Sequence, residues 1–70
     1  MTPAQSRMAR AALQLGLRDV AKLAKVAPST ISRLEAGEVL QPRTLEAIQR
    51  ALERAGIEFI DGNKPGVRVK

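Results

Sequence analysis

Apolar residues recur at helical spacing through the opening segment of the chain and predict a first helix. The residues expected on its buried face are Met8, Ala11, Ala12 and Leu15. Thr2 suits the N-cap of this helix, and Pro3 suits its first position, where a missing N–H is tolerated. Gln5 can complete a capping box with Thr2, so the sequence predicts a well-defined helix start.

Two short apolar runs, separated by Val-Ala-Pro-Ser, predict a second and a third helix. The second starts at Leu17 after a Gly16 N-cap and stops near Lys25, whereas the third starts at Pro28 and ends at a left-handed Gly37. The expected buried residues are Val20, Ala21, Leu23, Ala24, Val26, Ile31 and Leu34. Because each helix has only about eight residues and the connection is very short, the two must cross steeply, as in a helix-turn-helix.

A fourth helix is predicted from about Arg43 or Thr44 to Ala55, and Gly56 ends it. Its apolar stripe consists of Leu45, Ile48, Ala51 and Leu52. The pattern places these four helices in a helix-turn-helix domain over residues 1–56. The chain is therefore expected to be mainly α-helical.

The last segment, residues 57–70, changes to a β-like alternation and predicts a short C-terminal β-hairpin. Pairing Phe59 with Val67 and Ile57 with Val69 puts all four apolar side chains on one face. The same register sets Glu58 opposite Arg68. An isolated hairpin is marginal in water, so we expect it either to close the monomer core or to form a dimer contact. The residues expected in the dimer contact are Ile57, Phe59, Val67 and Val69.

The chain has no cysteine and no histidine, which removes common metal ligands and the commonest general base. Its serines therefore have no histidine partner, and its seven carboxylates lack the spacing of a ligand set. We expect no enzyme activity, no metal and no cofactor. The apolar runs are too short to span a membrane, which indicates a cytoplasmic protein.

The chain carries a net charge of +5, and this charge is unevenly distributed. Residues 1–36 contain six basic and two acidic side chains, whereas residues 37–63 contain three basic and five acidic ones. The first half is therefore the part that attracts anions such as DNA phosphates. A basic surface alone is equally compatible with a solvated face that binds nothing.

The stretch from Val20 to Gly37, VAKLAKVAPSTISRLEAG, resembles the helix-turn-helix of the Cro/lambda-repressor-like regulators, often called the XRE family. The resemblance extends through RAALQLGLRDVA before it and PRTLEAIQRAL after it, from about Arg7 to Ala55. TISRLEAG is its most specific part. The resemblance implies a four-helix lambda-repressor-like domain in which the helix beginning at Pro28 enters the DNA major groove.

The resemblance and the helical geometry together suggest which residues contact DNA. The expected base-reading residues are Pro28, Ser29, Ser32 and Arg33. The expected phosphate-contacting residues are Leu17, Arg18, Lys22, Lys25, Thr30 and Arg43. Ser29 and Thr30 could instead satisfy free backbone donors in the first turn, and Arg33 could be a solvated surface residue. The resemblance also implies a structural ion pair between Arg10 and Glu35.

Three positions depart from the family pattern. Lys25 stands where the family usually has glycine, so a left-handed backbone there would be strained. Ala27 replaces the usual hydroxyl cap before Pro28. Leu17 stands where glutamine is frequent, which leaves only its backbone N–H for a phosphate.

These patterns predict a sequence-specific regulator of transcription that binds double-stranded DNA as a homodimer in the nucleoid. We expect a repressor, since no second domain that could contact polymerase is visible. One alternative is an antitoxin-like module that binds a small protein partner and regulates its own operon. Another is a protein-interaction adaptor that has lost DNA binding, against which the basic residues argue.

Overall fold

The computed structural model describes residues 1–70 and contains four helices followed by a two-stranded antiparallel sheet. The elements are α1 (Pro3–Leu13), α2 (Leu17–Ala24), α3 (Pro28–Glu35), α4 (Pro42–Arg54), β1 (Ile57–Ile60) and β2 (Gly66–Val69). The predicted fold class, mainly α with a C-terminal hairpin, is confirmed. None of the four helices has the length and apolar character needed to cross a bilayer.

The helix starts follow from local capping. At α1, Gln5 N–H donates to Thr2 Oγ1 at 3.1 Å and Thr2 N–H donates to Gln5 Oε1 at 2.8 Å, which confirms the predicted capping box. Gly16 caps α2, and its N–H donates to the Asp19 carboxylate at 2.8 Å. Both α3 and α4 begin with proline at a first-turn position and have no side-chain cap. Helix α4 therefore starts at Pro42, slightly earlier than predicted.

Three helices end in the same backbone motif, in which a residue with positive φ reverses the chain. Gln14, Lys25 and Gly37 have φ angles of 57°, 60° and 91°. The residue after each donates its N–H back into the last turn, in the pairs Leu15 to Arg10, Val26 to Ala21 and Glu38 to Arg33. These are Schellman motifs. Glycine suits this conformation, whereas Gln14 and Lys25 are each strained by about 1 kcal/mol.

The hydrophobic core lies between the helices and the hairpin. Its buried members are Ala9, Val20, Ala21, Ala24, Ile31, Leu34, Ile48, Ala51, Leu52 and Ile57. The predicted buried residues of α3 are confirmed, as are Ile48, Ala51 and Leu52 in α4.

The predicted buried face of α1 is wrong except for Leu15, which packs against the core just after the helix. Met8 is 37% exposed, and Ala11 and Ala12 are exposed too, whereas Gln5 and Ser6 are fully buried beside Ala9. The reason is that Gln5 and Ser6 find hydrogen-bond partners in distant segments. Helix α1 therefore turns its polar first turn toward the interior.

The expectation that Leu23 is buried is also wrong, because Leu23 is 46% exposed. Helix α2 packs on α3 and α4 through Val20, Ala21 and Ala24. Leu23 lies on the flank of that face and is only partly covered.

The hairpin has the predicted register, with Ile57 opposite Val69, Glu58 opposite Arg68 and Phe59 opposite Val67. Strand β1 packs on α4 and β2 packs on α1. Ile57 is fully buried in the core, and Phe59 and Val67 pack against it, whereas Val69 is 52% exposed. Ile57, one of the residues expected in a dimer contact, is therefore not accessible to a second subunit, because it is buried in the monomer core.

Candidate nucleic-acid interface

The connection between α2 and α3 fixes the position of α3. Lys25 turns the chain, and the bond of 3.0 Å from Val26 N–H to the Ala21 carbonyl closes the turn. Ala21 is 2% exposed, so its small side chain allows the two helices to approach closely. Ile31 and Leu34 point into the core and leave the opposite side of α3 on the surface.

That outer side of α3 carries the four expected base-reading residues. Pro28, Ser29, Ser32 and Arg33 are all exposed. Thr30 is half-buried and lies on the flank of the helix. The structure therefore presents two hydroxyls and a guanidinium on one face of a short helix, a combination that can donate and accept hydrogen bonds at base edges.

The basic residues of α2 lie beside this face. Arg18 and Lys22 are exposed, and they line a shallow groove with Ala21, Val26 and Pro28 that runs to the start of α3. Lys25 is also exposed, in the turn between the helices. By helical spacing Arg18 and Lys22 project from α2 on the side away from Val20, and Lys25 follows in the turn. They form a positive border along one edge of α3.

The first turn of α2 is less suited to an anion than the sequence suggested. Leu17 is half-buried, and its side chain packs against the core. The Asp19 carboxylate lies at this helix start, where it accepts a hydrogen bond from Gly16 N–H. A carboxylate already stabilises the positive end of the helix dipole there and repels a phosphate. Leu17 itself can offer only its backbone N–H to an anion, since its side chain has no donor.

Arg33 lines a cleft between α3 and the start of α4. Its other lining residues are Thr30, Val39, Leu40, Gln41 and Thr44. Val39 is 94% exposed, and the Gln41 side chain caps no helix. Sequence reasoning missed Val39, Gln41 and Thr44 as neighbours of Arg33, although the position of Gln41 directly before a helix-starting proline was a usable signal.

Arg43 lies outside that cleft. It lines a separate groove along α4 together with Ala24, Glu46, Ala47, Arg50 and Arg54. Glu46 and Arg50 form an ion pair in this groove. The structure thus brings the candidate residues of α2 and α3 together but places Arg43 on a neighbouring surface.

An ion pair between Arg10 and Glu35 ties the C-terminal end of α3 to α1. Arg10 donates through Nε at 2.8 Å and through Nη2 at 2.7 Å, and Ser6 Oγ donates to the same carboxylate at 2.7 Å. The Glu35 side chain is only 8% exposed and that of Arg10 23%. Arg7 adds a bond to the Glu35 carbonyl at 2.6 Å. These bonds hold the helix that carries the candidate base-reading residues.

The environment of this pair shifts both pKa values. Burial raises the pKa of Glu35, but the hydrogen bonds from Arg10 and Ser6 and the charges of Arg10 and Arg7 outweigh it, so the pKa lies below its ordinary value. The hydrogen bond to Glu35 raises the pKa of Arg10. Both groups are therefore charged near neutral pH. No buried side-chain polar atom lacks a hydrogen-bond partner.

A family model described as a helix-turn-helix domain matches residues 5–59, well over half of the chain. The match covers α1 from its first turn through α4 and reaches Phe59 in β1, beyond the Ala55 limit of the sequence resemblance. No curated protein matches the chain. The two short helices α2 and α3, joined by a three-residue turn, agree with this match, and the chain belongs to the helix-turn-helix domain family.

Proposed function

We propose that this protein is a sequence-specific regulator of the XRE type that binds double-stranded DNA with α3 in the major groove. The observation that carries the proposal is the outer face of α3, where Ser29, Ser32 and Arg33 are exposed next to the cations of α2. A helix in the major groove meets base edges with its outer face and phosphates at its borders. In this protein the polar side chains lie on the outer face of α3, where bases are read, and the cations lie at its border, where phosphates are contacted.

Arg33 is the principal base-reading residue in this proposal. A guanidinium can donate two parallel hydrogen bonds to O6 and N7 of guanine, which discriminates this base from the other three. Ser29 and Ser32 can donate to or accept from neighbouring base edges. Pro28 supplies an apolar surface at the start of the helix.

The phosphate contacts are assigned to the residues around α3. Arg18, Lys22 and Lys25 face one strand of the duplex, and Thr30 can donate its hydroxyl to a phosphate from the flank of α3. Arg43 reaches the backbone from α4, and Leu17 contributes only its backbone N–H. These contacts would supply affinity that depends strongly on salt and little on sequence.

We further propose that the protein binds DNA as a two-fold dimer. Equivalent half-sites lie one helical turn apart, about 34 Å. The longest dimension of the chain is 27 Å, so one copy cannot place a helix in two successive major grooves. On the hairpin, Val69 is 52% exposed and available for pairing with a second copy, with partial contributions from Phe59 and Val67. A dimer bound at a promoter would exclude polymerase from it, and on this basis we propose a repressor.

Selection of binding sites from a randomised duplex library by the full chain tests this proposal. The expected result is one enriched sequence with two-fold symmetry, containing a guanine whose replacement weakens binding. Affinity for that sequence should also fall steeply as salt rises. A selection that enriches no sequence would contradict the proposal.

A further inference from the structure

Glu38, in the loop after α3, forms an ion pair with Arg33. The distance from Arg33 Nε to Glu38 Oε1 is 3.1 Å, and the two side chains are 54% and 53% exposed. No other side chain or backbone group of the protein accepts a hydrogen bond from the Arg33 guanidinium. The guanidinium thus has one partner within the chain.

The backbone holds this pair together independently of the two side chains. Glu38 N–H donates to the Arg33 carbonyl at 3.0 Å, and Gly37 N–H donates to the Leu34 carbonyl at 3.0 Å. Gly37 reverses the chain with φ of 91°. In a Schellman motif these two flanking positions usually make a hydrophobic contact. Here an arginine and a glutamate occupy them, so the turn places a carboxylate beside the guanidinium.

The geometry of the pair leaves the guanidinium able to bind DNA. Glu38 accepts a hydrogen bond from Nε of Arg33, which does not belong to the Nη1–Nη2 edge of the guanidinium. The terminal nitrogens Nη1 and Nη2 have no partner, and these two donors can match O6 and N7 of guanine. A carboxylate on Nε therefore restricts the orientation of the guanidinium without using the edge that reads the base.

We propose that Glu38 is a positioning residue that sets the base specificity of Arg33. This inference rests on the proposed function of α3. Glu38 orients the Nη1–Nη2 edge toward the base, and its negative charge opposes contact of Arg33 with DNA phosphates. Both effects favour sites with the correct guanine, because they weaken non-specific binding of the Arg33 guanidinium to DNA phosphates.

The opposite role would be simple competition, in which Glu38 masks Arg33 until DNA displaces it. The two roles differ in one measurable quantity, the ratio of affinities for the selected site and for the same site with the guanine replaced. Positioning predicts that removal of the Glu38 charge lowers this ratio. Competition predicts that affinity rises on both sites and that the ratio stays the same or increases.

The test uses the full chain and the site enriched from the randomised library. Binding is measured for wild type, Glu38→Gln, Arg33→Ala and the double variant, on the selected site and on sites with single guanines replaced. Glu46→Gln is the matched control, because Glu46 is also about half exposed and also pairs with one arginine, but lies on α4. Glutamine keeps the shape of the side chain and removes its charge.

Arg33→Ala should lower discrimination at one guanine by about tenfold or more. Glu38→Gln should lower it at the same guanine by about two- to fivefold, the range of an exposed ion pair. Glu46→Gln should leave it unchanged, and the double variant should match Arg33→Ala. The inference is overturned if Glu38→Gln preserves the discrimination, if Glu46→Gln lowers it equally, or if Arg33→Ala has no effect on it. If no sequence is enriched at all, the proposed function fails, and this inference fails with it.

Discussion

Gln5 and Gly66 are joined by a hydrogen bond of 3.0 Å from Gln5 Nε2 to the Gly66 carbonyl, across 61 residues of chain. The same Nε2 donates to the Ile60 carbonyl at 2.9 Å, and Ile60 and Gly66 face each other at the turn end of the hairpin. Gln5 Oε1 meanwhile accepts from Thr2 N–H. One buried amide thus caps α1 and holds the hairpin against it.

Gln5→Glu should destabilise the protein by about 2–4 kcal/mol near neutral pH, because a carboxylate would face two carbonyls and leave them without a donor. The shape of the side chain and the acceptor for Thr2 N–H are retained. Chemical denaturation at neutral pH and at about pH 4 measures the effect.

The pKa of the introduced carboxyl should be higher in the folded than in the unfolded chain, so its destabilising effect should diminish as the pH falls. The variant should therefore approach the wild type under acid conditions. An equal stability difference at both pH values would show that the charge of the introduced carboxylate does not cause the destabilisation.

The ion pair of Arg10 and Glu35 predicts a pH dependence of stability. Because the pKa of Glu35 is lower in the folded chain, the stabilisation is complete above its ordinary value of 4.5 and is lost as the pH falls through the folded-state pKa. Wild-type unfolding free energy should therefore decrease with acid below this value. Denaturant titrations across the acid range follow it.

Arg10→Met should destabilise the chain by about 3 kcal/mol at neutral pH, since it strands a carboxylate that is 8% exposed. In this variant burial dominates the environment of Glu35, so the acid-dependent loss should disappear. Glu35→Gln should lose it as well. If both variants still lose unfolding free energy at low pH as the wild type does, other carboxylates cause that loss.

Gln14 and Lys25 both adopt a left-handed backbone conformation at a helix end although neither is glycine, so they can be compared directly. Lys25 has φ and ψ of 60° and 44°, and Gln14 has 57° and 43°. Replacing either with glycine should raise the unfolding free energy by about 1 kcal/mol, since glycine adopts this conformation without strain. Thermal melts of both variants test this gain.

DNA binding should separate these two variants. Lys25→Gly removes a proposed phosphate contact, so the slope of log affinity against log salt should fall by about 0.9. Gln14→Gly should leave the slope unchanged. If Lys25→Gly keeps the wild-type slope, Lys25 does not contact a phosphate.

Arg33→Ala and Lys22→Ala should affect DNA binding in different ways. Arg33→Ala should cost about 1–3 kcal/mol on the selected site and little on unrelated duplexes. Lys22→Ala should weaken binding to every duplex by a similar factor and lower the salt slope. Equal losses on all sequences for Arg33→Ala would assign Arg33 to phosphate binding.

The hairpin edge is best tested at Val69. Deleting residues 57–70 would remove Ile57 from the core and unfold the monomer, so that truncation cannot locate a dimer contact. Val69→Glu should instead leave the monomer folded, as judged by circular dichroism, and convert the dimer to a monomer, as measured by mass in solution. Val39→Glu, at a position 94% exposed on the α3–α4 loop, should remain dimeric. A dimeric Val69→Glu protein would place the contact elsewhere.

The sequence by itself determined the start of α1, the end of α3 and how the hairpin pairs. Thr2 and Gln5 define the start of α1 and Gly37 the end of α3, because caps involve groups only a few residues apart. The register of Phe59 and Val67 follows from the alternation of apolar residues and from the opposite charges of Glu58 and Arg68. All these interactions are local in the chain, so their residues could be read directly from the sequence.

Only the tertiary structure decided which face of α1 is buried and what surrounds the candidate site. Ser6 meets Glu35 across 29 residues and Gln5 meets Gly66 across 61, so neither partner is visible in a local pattern. A buried polar side chain is stable only when its hydrogen bonds are satisfied. Apolar spacing alone therefore favoured Met8, Ala11 and Ala12, whereas the partners supplied by α3 and the hairpin turned Gln5 and Ser6 inward.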